Sequence, residues 1–305
     1  MSPIDLQNHL SRLQNLELLA RQVVEGYIIG LHKSPFHGFS VEFAEHRLYN
    51  PGDPVRHIDW RVYGRTDRVF VKKFEEETNL RCCILLDTSA SMNFPQDEVA
   101  LNKFQYSIVA AASLIELLKK QLDATSLAFF DKEISHLTEC RSSSRHYRHL
   151  IGLLEEQLQK GGQGVTSNLP EALHQLAEQM HKRSLLIVLT DFVFSEAGWP
   201  ELESALQHCH FNKHEVILFQ VMESKQELNL EIPNRPVELI DLETKESIKL
   251  QPGQVREEYV KAIRLYNHEL NHIAQQNRAD LVNIDLSEPV EQVLNKFLLK
   301  RNKLL

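Results

Sequence analysis

The sequence predicts an α/β protein in which a mostly parallel central sheet is covered by helices on both faces. From residue 81 onward, apolar segments of strand length alternate with segments of helix length, and this alternation is typical of a mostly parallel sheet. The strand segments, such as CCILL at 82–86 and LLIVL at 185–189, are apolar without interruption. Such runs indicate strands that are buried on both sides.

Each element follows from the length and period of its apolar pattern. In chain order we predict the strand RCCILLD, a helix over 97–121, the strand TSLAFFD with EISHLTE as a short edge strand, the helices SRHYRHLIGLLEEQLQ and LPEALHQLAEQMHK, the strand SLLIVLTDF, a helix over 199–209, the strand HEVILFQVM, the hairpin VELIDLETKESIKL, a helix over 254–277, the strand ADLVNIDL and the helix EPVEQVLNKFLLKRN.

Residues 1–78 differ from the rest and predict an N-terminal helix followed by a small β-rich segment. Leucines recur at helical spacing over 5–31, whereas FSVEF and RVFVKKF alternate like half-exposed strands and NPGD is a turn signal. The dense charges of this segment fit a solvated sheet face with ion pairs or a docking surface for another protein. We therefore divide the chain into 1–78 and 79–305.

Composition excludes several functional classes. The 305 residues are 42% hydrophobic and carry a formal net charge of -8, which argues against non-specific binding of nucleic acid. The four cysteines match neither a zinc ribbon nor a CxxC redox motif, and we expect reduced thiols. The first residues do not resemble a signal peptide, and no apolar stretch approaches the roughly 20 residues of a membrane helix. We expect a cytoplasmic protein that does not insert into the membrane.

Two predicted parallel strands end in an acid, Asp87 and Asp191. Open parallel sheets place their sites at this carboxyl edge. After Asp87 the chain reads TSAS, so that Ser89 and Ser91 lie at alternate positions and leave an extended chain on the same side. Thr166 follows the glycines of GGQGV and precedes a predicted helix. One crevice could therefore collect all five side chains.

All five side chains offer oxygen, and none offers nitrogen or sulfur. Oxygen-only sites suit hard cations such as Mg²⁺, Mn²⁺ or Ca²⁺ rather than zinc. Two carboxylates offset a divalent charge, while hydroxyls fill positions without adding more negative charge. The pattern therefore predicts a metal site that retains enough Lewis acidity to accept a further carboxylate.

The order D-x-S-x-S, loop threonine and later strand-end acid resembles the metal-ion-dependent adhesion site of von Willebrand factor A domains. That resemblance implies a Rossmann-like A domain in which Ser89, Ser91 and Thr166 bind the metal directly. It also implies that Asp87 and Asp191 act directly or through water, and that an acidic side chain of the ligand takes the sixth position. The sequence departs from the family in having Phe192 after Asp191, where many A domains have glycine.

The upstream stretch EFAEHRLYNPGDPVRHIDWRVYGRTDRVFVKKFEEE resembles the signature of the bacterial DUF58 family. The resemblance extends over residues 36 to 290 and includes PVELIDLETKESIKL in the C-terminal half. It implies association with an AAA+ ATPase of MoxR type, as an adaptor or co-chaperone. The metal site would then bind an acidic residue on the ATPase or on its client.

Two enzymatic alternatives remain open on the sequence. HELNH at 268–272 matches the H-E-x-x-H motif of zinc hydrolases, with His268 and His272 as ligands and Glu269 as general base. Asp87 also ends a first strand as in haloacid-dehalogenase-like phosphatases. Those enzymes need a second acid two residues later, where this chain has Ser89. Although both alternatives stay open on the sequence, the function that we expect is non-catalytic.

Overall fold

The computed structural model describes residues 15–32, 46–48, 64–65, 70–72, 80–96, 101–162, 166–193 and 198–301. Contacts divide the chain into two compact units. The larger unit comprises residues 1–28 and 80–305, and the smaller unit comprises residues 29–79. The described helices contain none that is long and apolar enough to cross a membrane.

The described part of the chain forms ten strands and seven α-helices. The strands are β1 (His46–Leu48), β2 (Phe70–Lys72), β3 (Arg81–Asp87), β4 (Ala124–Phe130), β5 (Ile134–Leu137), β6 (Leu185–Thr190), β7 (Glu215–Met222), β8 (Val237–Ile240), β9 (Ser247–Leu250) and β10 (Ala279–Asp285). The helices are α1 (Leu16–His32), α2 (Lys103–Lys120), α3 (Ser144–Lys160), α4 (Leu169–Gln179), α5 (Trp199–Phe211), α6 (Pro252–Gln276) and α7 (Glu291–Arg301).

In the smaller unit, β1 and β2 form an antiparallel pair in which His46 lies opposite Lys72. The strand β2 falls within the predicted strand RVFVKKF, whereas FSVEF and the NPGD turn lie outside the described residues.

Helix α1 starts at Leu16, and the predicted helical residues 5–14 also lie outside the described residues. The Asn15 side chain accepts a hydrogen bond of 3.0 Å from the Leu18 amide, as an N-cap residue does.

The larger unit contains a six-stranded sheet in the order β10-β7-β6-β3-β4-β5. Five strands run parallel, and only β5 at the edge pairs antiparallel with its neighbour β4. The predicted mostly parallel α/β fold is therefore confirmed, as is the interpretation of EISHLTE as an edge strand. A separate antiparallel hairpin of β8 and β9 lies between β7 and α6 in the chain, as the sequence predicts.

Helices cover both faces of this sheet because successive strand residues point to opposite sides. On one face, Cys83 and Leu85 of β3 belong to a buried cluster that includes residues of α4, α5 and α6. The intervening residues Ile84 and Leu86 are also fully buried but lie outside that cluster. Helix α2 contacts β3, β4 and β7 as well as α3 and α7, so these three helices cover the other face.

Helix α2 is buried along almost its whole length, and its start differs from the prediction. The sequence predicts a helix from residue 97, but residues 97–100 lie outside the described residues and α2 starts at Lys103. The reason is a capping box: the Asn102 side chain accepts from the Gln105 amide at 2.8 Å, and the Gln105 side chain accepts from the Asn102 amide at 3.2 Å. These bonds fix the first turn and with it the position of Lys103.

Candidate metal site at the carboxyl edge of the sheet

The candidate site lies where β3 and β6 end side by side. These strands are parallel neighbours with Leu86 opposite Leu189, so the next residues along each strand, Asp87 and Thr190, come level at the carboxyl edge. The Thr190 hydroxyl donates a hydrogen bond of 2.5 Å to Asp87 Oδ2. The sheet register therefore supplies a contact that the sequence analysis missed, although Thr190 directly precedes the predicted ligand Asp191.

The carboxylate of Asp87 is completely buried and is held by donors from three separate parts of the chain. The Ser89 amide donates to Oδ1 at 2.8 Å, and the Ser167 hydroxyl donates to Oδ2 at 2.9 Å, in addition to the bond from Thr190. Loops that are far apart in the sequence thus converge on one carboxylate, as the prediction of a single crevice requires.

The three predicted hydroxyl ligands, Ser89, Ser91 and Thr166, differ in the contacts that they make. The oxygen atoms of Ser89 and Ser91 lie 3.1 Å apart, as expected for alternate residues of a chain that curls away from the strand. Among the described residues, no hydrogen bond joins the Thr166 hydroxyl to these side chains. It is instead the next residue, Ser167, that reaches Asp87. This loop therefore brings to Asp87 a hydroxyl that we did not predict, and Thr166 as a metal ligand stays a prediction.

Asp191 is also buried, and its charge is balanced by a lysine that the sequence analysis did not identify. Lys103 Nζ donates to Asp191 Oδ2 at 2.8 Å and to Glu227 Oε1 at 2.6 Å. Glu227 lies on a π-helical turn, Ser224–Leu228, which follows β7. The second oxygen of Asp191, Oδ1, accepts from the Val193 amide at 3.3 Å. No pattern in the sequence connects these three charged residues, which are brought together only by the fold.

The electrostatics of the site favour an added positive charge. Burial raises the pKa of Asp87 to about 6, and the negative charge of Asp191 contributes to the rise, while hydrogen bonds from Ser89 and Thr190 oppose it. Burial likewise raises the pKa of Glu227, and Lys103 opposes that rise. One lysine thus serves two buried carboxylates directly, whereas Asp87 accepts from hydroxyl and amide donors and, among the described residues, forms no ion pair with a lysine or arginine.

Phe192 stands where the resemblance to A domains leads us to expect glycine, and it adopts the backbone conformation that favours glycine. Its backbone has φ of 55°, which is in the left-handed region that costs an L residue roughly 1–2 kcal/mol. The side chain is almost completely buried in the cluster below the sheet, and its carbonyl accepts a hydrogen bond of 2.7 Å from Tyr266. Burial of a phenyl ring, worth roughly 1.5–3 kcal/mol, offsets the strained backbone.

The donor set fits a hard divalent cation. Asp87, Ser89, Ser91 and Asp191 offer oxygen at one edge of the sheet, and the carboxylates bring more negative charge than Lys103 balances. Among the described residues, no group of three or more His, Cys, Asp or Glu side chains gathers as metal ligands.

The zinc alternative finds no support in the described residues. His268, Glu269 and His272 lie on the exposed face of α6, and His272 Nε2 lies 3.2 Å from the Gln276 amide nitrogen. No third His, Cys, Asp or Glu joins them within the described part of the chain. The phosphatase alternative is not supported either, because the residue two positions after Asp87 is Ser89, whose amide is bonded to Asp87.

The mostly parallel sheet between two helical layers has a von Willebrand factor A-like fold. The chain belongs to the DUF58 family, described as a protein of unknown function, whose model matches residues 45–269.

The chain is similar to uncharacterised proteins of mycobacteria. Rv1480 of Mycobacterium tuberculosis and Mb1516 of Mycobacterium bovis are each 25% identical over 231 residues, which cover 76% of this chain and 69% of the relative.

Solved structures with a similar fold include the conserved hypothetical protein BatB from Bacteroides thetaiotaomicron, with a TM-score of 0.47 and 15% identity over 73% of this chain and 99% of that one. The VWA domain of SpRpn10 matches with a TM-score of 0.39 and 11% identity over 71% of this chain and 94% of that one.

Proposed function

We propose that this protein is a non-catalytic binding module that uses a divalent cation to bind an acidic side chain of a protein partner. The cation is Mg²⁺, or Mn²⁺ or Ca²⁺, which share its preference for oxygen ligands. Its ligands would be Asp87, Ser89, Ser91, Thr166 and Asp191. The observation that supports this most is the convergence of Ser89, Ser167 and Thr190 on the buried Asp87 carboxylate.

The cation would supply positive charge and a coordination position for a carboxylate from outside. The chain's own residues orient the site. Ser167 and Thr190 hold one oxygen of Asp87, and the Ser89 amide holds the other, so that the carboxylate cannot rotate freely. Lys103 fixes Asp191 and partly neutralises it, which leaves a bound divalent ion with residual positive charge for the partner.

The partner would be an AAA+ ATPase of MoxR type or its client, for which this protein acts as adaptor or co-chaperone. Membership of the DUF58 family supports this step. The resemblance described above implies that members of this family associate with such ATPases. The net charge of -8 makes a bridging cation useful, because an acidic partner would otherwise be repelled.

The proposal predicts that capture of an AAA+ ATPase of MoxR type depends on the metal and on Asp87. In a pull-down with purified protein, EDTA or the substitution Asp87→Ala should reduce capture at least tenfold, or about 1.4 kcal/mol of binding free energy. The matched control is Asp131→Ala, which removes an acid directly after the adjacent strand β4; among the described residues, its side chain accepts a hydrogen bond from the Lys132 amide alone. Capture that is indifferent to both treatments would remove the metal from the mechanism.

A second measurement separates metal binding from partner binding. A ligand at 100 times its dissociation constant stabilises the folded state by about 2.7 kcal/mol. Millimolar Mg²⁺ should therefore raise the melting temperature of the wild type and of Asp131→Ala, but not that of Asp87→Ala. An equal rise in all three proteins would show that the ion binds elsewhere.

A further inference from the structure

The amino edge of the sheet, opposite the candidate metal site, carries a row of basic side chains in a protein of net charge -8. The strands β10, β7, β6 and β3 are parallel neighbours, and their register makes them begin at one level. At or within two residues of each start lies an exposed cation; in order across the sheet these are Arg278, Lys213, Arg183 and Arg81. Neighbouring strands lie about 4.8 Å apart, so these four residues, the cationic row, extend over roughly 15 Å.

Three members of the cationic row stand where a helix ends in a left-handed residue. Arg183, Lys213 and Arg278 have φ of 60°, 63° and 56°, and they follow α4, α5 and α6 respectively. After α5, the Lys213 amide donates to the His210 carbonyl at 2.8 Å and the following amide donates to the Cys209 carbonyl at 3.0 Å. These are the bonds of a Schellman motif, whose left-handed position is usually glycine. Glycine would be less strained there, so the basic side chains stand at positions that the backbone does not favour for them.

Two exposed apolar side chains lie at the same edge. Leu122, in the turn before β4, is 62% exposed, and Phe211, at the end of α5, is 80% exposed. Leu122 is a further left-handed residue, with φ of 60°. Its turn continues the row beyond Arg81, because Arg81 lies opposite Ala124 at the start of β4. Single exposed apolar residues are common on protein surfaces, but here both lie beside cations, a combination typical of surfaces that bind a membrane interface.

The acids of this edge do not neutralise the cationic row. Glu215 and Asp280 lie in the first turns of β7 and β10, whereas Asp123 is buried and accepts from a backbone amide. Lys120 and Lys182 add two further exposed cations. The ion pairs formed between described residues include none that involves the row. The edge therefore presents positive charge to solvent.

The carboxyl edge of the same sheet is acidic. The strand β3 ends at Asp87 and β10 ends at Asp285, and Asp191 directly follows β6. An anionic surface attracts the amino edge and repels the carboxyl edge. The protein would therefore meet such a surface in one orientation, with the candidate metal site facing away from it.

We propose that the amino edge of the sheet is a docking surface for an anionic membrane, which the protein binds from one side without crossing it. The cationic row contacts the lipid headgroups, while Leu122 and Phe211 enter the boundary between headgroups and acyl chains. A lipid surface accepts separate cations and apolar side chains without a pocket of matching shape, which favours it over a folded acidic protein or a nucleic acid. This docking is independent of the metal.

Sedimentation with lipid vesicles tests the role of charge. The vesicles contain equimolar phosphatidylcholine and phosphatidylglycerol, or phosphatidylcholine alone, in EDTA so that no divalent ion bridges protein and lipid. Arg183→Gln/Lys213→Gln should bind the anionic vesicles about 25-fold more weakly than the wild type, because each basic residue near such a surface contributes about fivefold. Lys261→Gln/Arg264→Gln is the matched control and should bind as the wild type. It removes the same two residue types from exposed positions of α6, where the nearby Tyr259 donates to a carbonyl of the π-helical turn after β7.

The apolar contribution is tested separately. Leu122→Ser and Phe211→Ser should each weaken vesicle binding about tenfold, the effect of partly burying such a side chain. Leu265→Ser is the control, because Leu265 is 63% exposed on α6, and it should leave binding unchanged. Brominated lipids should quench the added fluorescence of Phe211→Trp but not that of Leu265→Trp.

Equal binding of the wild type to neutral vesicles, or equal losses in the α6 controls, would overturn the inference. Basic residues at the ends of helices also complement the helix dipole. Unchanged vesicle binding with a lower free energy of unfolding in Arg183→Gln/Lys213→Gln would limit the row to that role and overturn the inference as well. Binding to polyglutamate or duplex DNA that is as tight as binding to the vesicles, and indifferent to Phe211→Ser, would assign the edge to an acidic protein or to nucleic acid.

Discussion

Lys103 is a fully buried lysine whose ammonium group joins two acids from distant parts of the chain. It is 1% exposed and contacts Asp191 after β6 and Glu227 after β7. Burial by itself would lower the pKa of Lys103, but the two carboxylates outweigh burial and raise it. The lysine therefore stays charged at neutral pH. It connects α2 to Asp191 at the candidate metal site through a hydrogen-bonded ion pair.

Replacing Lys103 with methionine should destabilise the protein strongly. The substitution keeps much of the side-chain volume but leaves Asp191 and Glu227 buried without a cation, and breaking a buried pair in this way costs about 3–5 kcal/mol. Urea unfolding in EDTA measures this loss. The control Lys119→Met breaks the partly exposed pair with Glu116 and should cost less than about 1 kcal/mol. Similar losses in the two variants would contradict the role assigned to Lys103.

The same variant should respond more strongly to a divalent cation. With the ammonium group gone, Asp191 has only the ion to balance its charge, so Mg²⁺ should recover part of the lost stability. A smaller response to Mg²⁺ in Lys103→Met than in the wild type would mean that Lys103 supports the site by position and not by charge.

At the scale of elements, the start of α2 decides where Lys103 lies. Asn102 and Gln105 exchange hydrogen bonds in the capping box, and the first helical residue is Lys103 itself. A helix that began one turn earlier would carry the lysine to another position along its axis. The capping box therefore sets the geometry of the site as well as the stability of the helix.

Asn102→Ala should cost about 1 kcal/mol of the free energy of unfolding, the usual effect of losing an N-cap side chain. Chemical denaturation measures the change. Asn271→Ala is the control, because Asn271 lies exposed within α6 and its side chain accepts from Gln275 alone within the described part of the chain. A variant at position 102 that is as stable as the control would show that the hydrogen bonds from Lys103 to its acids are enough to fix the first turn.

At the scale of the whole molecule, His214 makes stability depend on pH at a place away from the candidate site. It directly precedes β7, is buried, and has an Nε2 atom without a hydrogen-bond partner among the described residues. Burial lowers the pKa of His214, and the nearby His208 lowers it further. An unfolded histidine titrates near pH 6.5. Just below that pH the unfolded chain therefore binds more protons than the folded protein, and stability falls as pH falls.

His214→Gln should reduce the loss of stability between pH 7 and about pH 5.5. The measurement is the free energy of unfolding of wild type and variant at both values, in EDTA so that metal binding does not contribute. His210→Gln removes an exposed histidine of the same region and should leave the pH dependence as in the wild type. An unchanged slope in His214→Gln would show that other groups cause the loss in acid.

Local patterns of residues were enough to predict the fold class, the order of the elements and the strand-end acids. Uninterrupted apolar runs define buried parallel strands, and such strands end at one edge of the sheet, so Asp87 and Asp191 could be placed together from local patterns. The hydroxyls at Ser89 and Ser91 were visible for the same reason, because alternate positions share a side of an extended chain.

The other groups at that edge could be identified only after the distant elements were seen packed together. Thr190 reaches Asp87 through the register of β3 with β6, and Lys103 reaches Asp191 across 88 residues of chain. The spacing of apolar residues along a strand or helix indicates which of its sides is buried. Contacts between distant elements depend on how those elements pack, and no short stretch of sequence encodes that packing.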